Sequence, residues 1–184
     1  MTTYKGLPGP VACDYWTREA SAAHYDDGST FQIGRIDMVA NTGTYLDSPF
    51  HRFEDGADLA GLELGSLAAL EGLVVRKPRA RGLAIDAADF AGLEIGGKAV
   101  LFHTGWDAYW RTEAYFENHP FVTAEAARRL IDGGAKLVLG AGVPICEHMT
   151  NLGALPDQGF RFTAAPPKIA GMGTFPVRAF AEIA

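Results

Sequence analysis

Residues 41–51 read Asn-Thr-Gly-Thr-Tyr-Leu-Asp-Ser-Pro-Phe-His, and no other stretch of this chain limits its folding as much. Asn41, Thr44, Tyr45, Asp47 and His51 crowd polar side chains around Gly43 and Pro49, two residues that punctuate regular structure. Burying so many donors and acceptors costs free energy unless they find partners or a ligand. The segment follows Phe31–Val39, where apolar and polar residues alternate as in a half-buried strand. The polar residues are therefore expected on a loop at a strand end. Held there by a rigid element, they converge on one point as an active site requires.

The remaining pattern mixes many short strands with few helices. Lys98–His103 is the clearest buried strand and ends at Thr104-Gly-Trp106. Thr123 suits the N-cap of a helix Ala124–Ile131, with Ala126 at the third position, and Gly133-Gly134 ends it. Asp86–Phe90 reads as the first turn of a helix. Ser21–Tyr25 reads as a loop or short helix, and Leu64–Leu73 as a short helix leading into a strand over Leu73–Val75. Further short strands are expected at Ala135–Val138, Val143–Cys146 and Phe160–Ala164, with a terminal strand over Pro176–Ala181. Residues 1–30 begin irregularly, marked by Gly6, Pro8, Gly9 and Pro10. The only basic cluster, Arg76–Arg81, is expected as a short exposed loop. Strands outnumber helices, and neither a repeat nor a linker interrupts residues 1–184. A single α/β or α+β domain with a strand-rich centre follows.

Composition excludes several functions. The net charge of −6 argues against a nucleic-acid binder, which would carry a basic patch. No apolar run reaches the ~18 residues that span a bilayer, and Met1–Gly6 lacks the apolar core of a secretory signal. Cys13 and Cys146 are too few and too far apart for a disulfide framework or a metal spacing. A reduced, cytoplasmic protein is the expectation.

The 41–51 segment resembles the signature of the cyclase family, which includes bacterial kynurenine formamidases and isatin hydrolase. The family pattern is H-x-G-T-H-x-D-x-P-x-H. Gly43, Thr44, Asp47, Pro49 and His51 match it, whereas Asn41 and Tyr45 stand where the family has its first two histidines. Four later stretches resemble the family in order: His51–Leu59, Val100–Trp106, Ile145–Leu152 and Ala165–Arg178. Relatives carry a histidine-bearing stretch at a point where Val138 here abuts Leu139, so residues are either lost or missing at 138/139.

The resemblance implies the family's swivelling β/β/α fold. It also implies a hydrolase of an amide or cyclic amide, arylformamidase being the nearest activity, with a role in the kynurenine branch of tryptophan catabolism. Its site would hold a divalent metal, Mn or Zn, on Asp47 and Glu147 with help from Asn41 or His103, and the metal would activate water. His51 would shuttle the proton, with Tyr45 and Thr44 completing the catalytic set. Replacing two imidazoles by an amide and a phenol leaves an oxygen-rich set, which favours Mn²⁺ or Mg²⁺ over Zn²⁺. Alternatively, Tyr45 hydrogen-bonds a substrate carbonyl or its oxyanion. A small-molecule substrate and a homodimer or larger homo-oligomer complete what the resemblance implies.

Each residue also has a plainer role. Asp47 can form an Asx turn before Pro49, and His51 or His103 can simply pack. Glu147, beside the apolar run Val143–Cys146, can pair with Arg178. His148 should point to the opposite face from Glu147 if both lie in a strand. Trp106, Tyr109 and Trp110 either wall an aromatic pocket or belong to the core. A metal-free relative that binds a small ligand, or a metal-free catalyst using His51, Asp47 and Tyr45, is the alternative function.

Overall fold

A computed structural model describes residues 6–137 and 143–183. The chain forms two compact units, Met1–Gly43 and Thr44–Ala184. In the first, strand β1 (Val11–Trp16) pairs antiparallel with β2 (Ile33–Asp37). Between them a single helical turn, α1 (Arg18–Ser21), is capped by Thr17, whose side chain accepts from the Ala20 N–H at 3.1 Å. Ser21 is buried and accepts from the Phe31 N–H at 2.9 Å, tying the turn to the chain entering β2. A strand does form within Phe31–Val39, but all five of its residues are exposed, which corrects the half-buried strand expected from the alternation. β1, which the sequence reading did not anticipate, begins directly after the irregular stretch of Gly6, Pro8, Gly9 and Pro10.

The second unit is built around β3 (Tyr45–Asp47), β4 (Leu70–Arg76), β5 (Ala84–Ile85), β6 (Ala99–His103) and β7 (Phe121–Val122). Helix α2 (Ala124–Asp132) follows, then β8 (Ile145–Glu147), β9 (Phe160–Thr163), β10 (Thr174–Pro176) and β11 (Phe180–Ile183). β4 runs parallel to β6 and antiparallel to β9, and β11 closes the order β11-β9-β4-β6. A three-stranded antiparallel sheet has the order β10-β3-β8.

Alternation along β4 and β6 divides the unit into layers. Leu70, Val74, Ala99 and Leu101 enter one apolar cluster with Leu46 of β3 and Phe160 and Phe162 of β9. Leu73, Val75 and Val100 enter the other, with Phe90 and with Ala126 and Leu130 of α2. Helix, four-stranded sheet and three-stranded sheet therefore stack in that order, the β/β/α arrangement expected. Gly72 lets the layers close, because a Cβ there would run into the Phe160 ring.

α2 forms where the N-cap and glycines placed it, and Thr123 accepts from the Ala126 N–H at 3.3 Å. Elsewhere the expected helices shrink to single 3₁₀ turns, Leu64–Ser66 and Ala87–Phe90. Asp86 and Asp89 cap the second turn reciprocally. The expected terminal strand Pro176–Ala181 is two strands, β10 and β11, broken at Val177–Ala179. The expected strand Ala135–Val138 shows as one parallel bridge, Leu137 to Ala99. Val138 and its join to Leu139 lie outside the described residues. Among the described residues no helix is long and apolar enough to cross a membrane.

The basic stretch Arg76–Arg81 is not simply an exposed loop. Lys77 is buried and its Nζ donates to both oxygens of Asp89, at 2.8 and 2.7 Å. Both side chains are over nine-tenths buried. Burial pushes the Asp89 carboxyl up, but the Lys77 and Asp86 hydrogen bonds and the charges of Lys77 and Arg81 outweigh it and hold its pKa below 3.8. The stabilisation is present above that value and is lost as pH falls through the depressed folded pKa. Removing one partner strands the other. Lys77→Met or Asp89→Asn is expected to cost about 3–5 kcal/mol in urea unfolding at pH 7.

Candidate functional site

The three-stranded sheet sorts the signature residues by their parity. Leu46 lies opposite Cys146 and Phe175, and all three pack toward the inter-sheet core. Tyr45 and Asp47 therefore take the other face. The register sets Glu147 opposite Tyr45 and Thr174 opposite Asp47. This corrects the expected loop: Tyr45–Asp47 is the central strand of the sheet, and Tyr45 and Asp47 are 1% and 5% exposed.

Two hydrogen-bonded lines cross this face. In the first, the Thr174 hydroxyl lies between Asp47 Oδ1 and His51 Nδ1, the latter at 3.0 Å. His51 reaches it from a 3₁₀ turn, Pro49–His51, which Pro49 starts at its first position. With Asp47 ionised, Thr174 donates to the carboxylate and accepts from His51 Nδ1–H. This leaves Nε2 of the partly exposed ring as a base. Burial pushes the Asp47 pKa up, and the nearby Glu147 charge adds to this against the Thr174 hydrogen bond and the His51 charge.

In the second line, Tyr45 Oη donates to Glu147 Oε2 at 2.8 Å and lies 3.2 Å from His148 Nε2. Tyr115 Oη is 2.6 Å from His148 Nδ1. His148 was expected on the opposite face. Its backbone is left-handed, at φ 56°, so strand alternation stops at Glu147 and the ring turns back toward Tyr45. The Thr44 hydroxyl donates to the His148 carbonyl at 2.8 Å and ties down that turn. Burial lowers the His148 pKa from 6.5, with the Glu147 charge opposing it.

His103 lies apart from both lines. Arg76 donates to His103 Nδ1 at 3.0 Å, and the imidazole packs against Gly153, so His103 does not join Asp47 and Glu147. Asn41 is half-buried in the first unit. Glu147 pairs with Tyr45 and His148, not with Arg178. Trp106 is core, donating its Nε1–H to the Tyr115 carbonyl, whereas Trp110 and Tyr115 flank His148 at 5.8 and 5.7 Å between ring centres. The Cys146 thiol is pushed up to about 12 by burial and by the charges of Glu147 and Asp47, so it is no thiolate nucleophile. A hollow of about 410 Å³ lined by Met149, Leu152, Leu155, Phe162 and Phe180 shares only Thr44 with the signature and has no titratable lining residue.

These donors do not fit the expected metal set. Among the described residues, no group of three or more His, Cys, Asp or Glu side chains converges to hold a metal ion. Glu147 Oε2 already accepts from a phenol, and a phenol ligates a cation only when ionised. Thr174 and Tyr115 escaped the sequence reading, and His148 was expected on the wrong face. Thr174 stands in the Gly173-Thr-Phe-Pro stretch, but only the sheet register shows that it faces Asp47.

Two outcomes follow from the packing. Asp47 has a raised folded pKa, so its contribution to stability is fully present below pH 3.8 and is lost as pH rises through the folded value. In metal-free protein, Asp47→Asn is expected to raise the melting temperature at pH 7 by roughly 2–4 °C, with the gain vanishing near pH 3.5. Gly173 lies against His51, where a Cβ would sit 2.7 Å from the His51 Cα. Gly173→Ala should therefore cost about 1–3 kcal/mol on chemical unfolding and displace the His51 resonances in NMR spectra.

Known proteins agree with this architecture. A kynurenine formamidase of Erythrobacter litoralis is 38% identical over 113 residues, 61% of this chain and 50% of that protein. One of Geobacillus thermodenitrificans is 26% identical over 144 residues, 78% of this chain and 65% of that protein. The chain thus spans less than two thirds of the length of these curated relatives. Isatin hydrolase A from Labrenzia aggregata, bound to benzyl benzoate, superposes with a TM-score of 0.75 at 19% identity, over 98% of this chain and 85% of that one, a likeness of fold. A structure described as a potential metal-dependent hydrolase with cyclase activity superposes at 0.66 with 26% identity, over 96% and 91%. The Cyclase family model matches residues 8–143, well over half of the sequence, and the chain belongs to that family.

Proposed function

We propose that this protein hydrolyses a non-peptide C–N bond, as an arylformamidase-like member of its family. The observation that carries the proposal is the line His51–Thr174–Asp47, which orients an imidazole base in a chain related to two kynurenine formamidases. His51 Nε2 accepts a proton from water as the water oxygen adds to the amide carbonyl carbon. Asp47, through Thr174, stabilises the imidazolium that forms. The C–N bond then breaks, the leaving nitrogen takes the proton from His51, and an amine and a carboxylic acid depart. With a formyl group the acid is formate. Trp110 and Tyr115 beside His148 supply aromatic faces suited to an aryl substrate. No step is routed through a metal, because the donors do not assemble into a ligand set. A homo-oligomer in the cytoplasm belongs to the same proposal.

N-formylkynurenine and simple aryl formamides are the substrates to assay, following formate release. His51→Asn is expected to lower kcat/KM by about 10²–10⁴-fold. Thr174→Val, which keeps the shape and removes the hydroxyl, should cause a smaller loss and alter the pH profile. Undiminished hydrolysis by His51→Asn would refute the assignment of the base, and no hydrolysis of any formamide or cyclic amide would refute the reaction.

A further inference from the structure

We infer that a phenol–imidazole relay, Tyr115–His148–Tyr45, holds Glu147 in place as a divalent cation otherwise would, so that this site works without one. The inference rests on the hydrolase reading above and says how that site is organised.

Proton bookkeeping gives the relay one direction. An ionised carboxylate only accepts, so the Tyr45 hydroxyl donates to Glu147 Oε2 across 2.8 Å. The Tyr45 oxygen then accepts from His148 Nε2–H at 3.2 Å. In a neutral imidazole Nδ1 is then left to accept from the Tyr115 hydroxyl, 2.6 Å away. This order requires a neutral imidazole carrying its proton on Nε2. Three side chains from distant parts of the sequence thus end on a single carboxylate oxygen, each donor facing an acceptor.

The same order turns protons toward two atoms whose lone pairs a cation would use. Glu147 Oε2 faces the Tyr45 proton, and His148 Nε2 presents its own. Tyr45 is 1% exposed in the central strand, flanked by β8 and β10, so its ring cannot swing aside without unpacking the sheet. His51 Nδ1 is engaged by Thr174, and His103 lies against the Arg76 guanidinium, which repels cations. Tyr45 and His148 are positioning residues here: they fix the direction of the Glu147 carboxylate.

The test reads metal binding and tautomer, neither of which requires turnover. Chelator-treated wild-type protein is titrated calorimetrically with Mn²⁺ and Zn²⁺, beside Tyr45→His. The ¹⁵N signals of His148 are recorded in wild type and in Tyr45→Phe, which keeps the buried ring. Wild type is expected to show no saturable binding at micromolar metal, and Tyr45→His to bind Zn²⁺ at least about tenfold more tightly. His148 is expected as the Nε2–H tautomer, with both nitrogens shifting in Tyr45→Phe. One-to-one micromolar binding by wild type that Glu147→Gln weakens would overturn the inference. So would a folded Tyr45→His with no gain in affinity, or His148 signals indifferent to Tyr45→Phe. If Tyr45→His does not fold, the wild-type titration and the Tyr45→Phe spectra decide alone. Failure to hydrolyse formamides would sink the hydrolase reading while leaving these results to stand on their own.

Discussion

The register that sets Leu46 opposite Cys146 and Phe175 organises most of what this molecule does. Strand side chains alternate, so one choice of register has two consequences. The apolar members enter the inter-sheet core, where burial of Leu46 and its neighbours drives the sheets together. The polar members, Tyr45, Asp47, Glu147 and Thr174, must then share the other face. A slip of one residue would put Asp47 and Glu147 into the core and release the apolar residues from it. The core and the site are thus specified by the same hydrogen-bond ladder.

That coupling shapes the chemistry. Asp47 and Glu147 are held near enough for the charge of one to raise the pKa of the other. Each is answered by its own donor: Thr174 for Asp47, Tyr45 for Glu147. Bringing two acids together destabilises the fold, and the protein tolerates it because every buried oxygen of the pair that is bonded meets a directed O–H. Asp47 is therefore a group whose ionisation is held at some expense in stability. The Lys77–Asp89 pair beside the other core is the contrasting case, an ion pair whose members satisfy each other and which reaches no reacting group.

Much of the fold was legible along the chain. Thr123 and Gly133-Gly134 bounded α2 because capping is local, and β6 was plain because its buried residues Ala99–Leu101, with Phe102, form an apolar run. Short strands and turns were less so. β1 is marked by no clean alternation, and the single 3₁₀ turn at Ala87–Phe90 shares its capping signals with true helices. At the site, Asp47, His51, Tyr45 and Glu147 stood out because polar residues in such density need a reason. His148 did not, because one left-handed residue overturned the parity that strand reasoning assumes. Lys77 also misled: nothing in a basic stretch says which of its cations finds a buried carboxylate.

By itself, the sequence determined the family, the mixed α/β class and the polar segment that forms the candidate site, since each depends on patterns within a few consecutive residues. The tertiary structure decided which of those residues meet. Tyr45 and Glu147, about a hundred positions apart, and Asp47 and Thr174, farther still, become partners only through strand pairing. Strand pairing in turn depends on packing apolar faces between layers, a property of the whole unit that no local segment contains. For the same reason His103 looked available as a ligand until the structure placed Arg76 beside it.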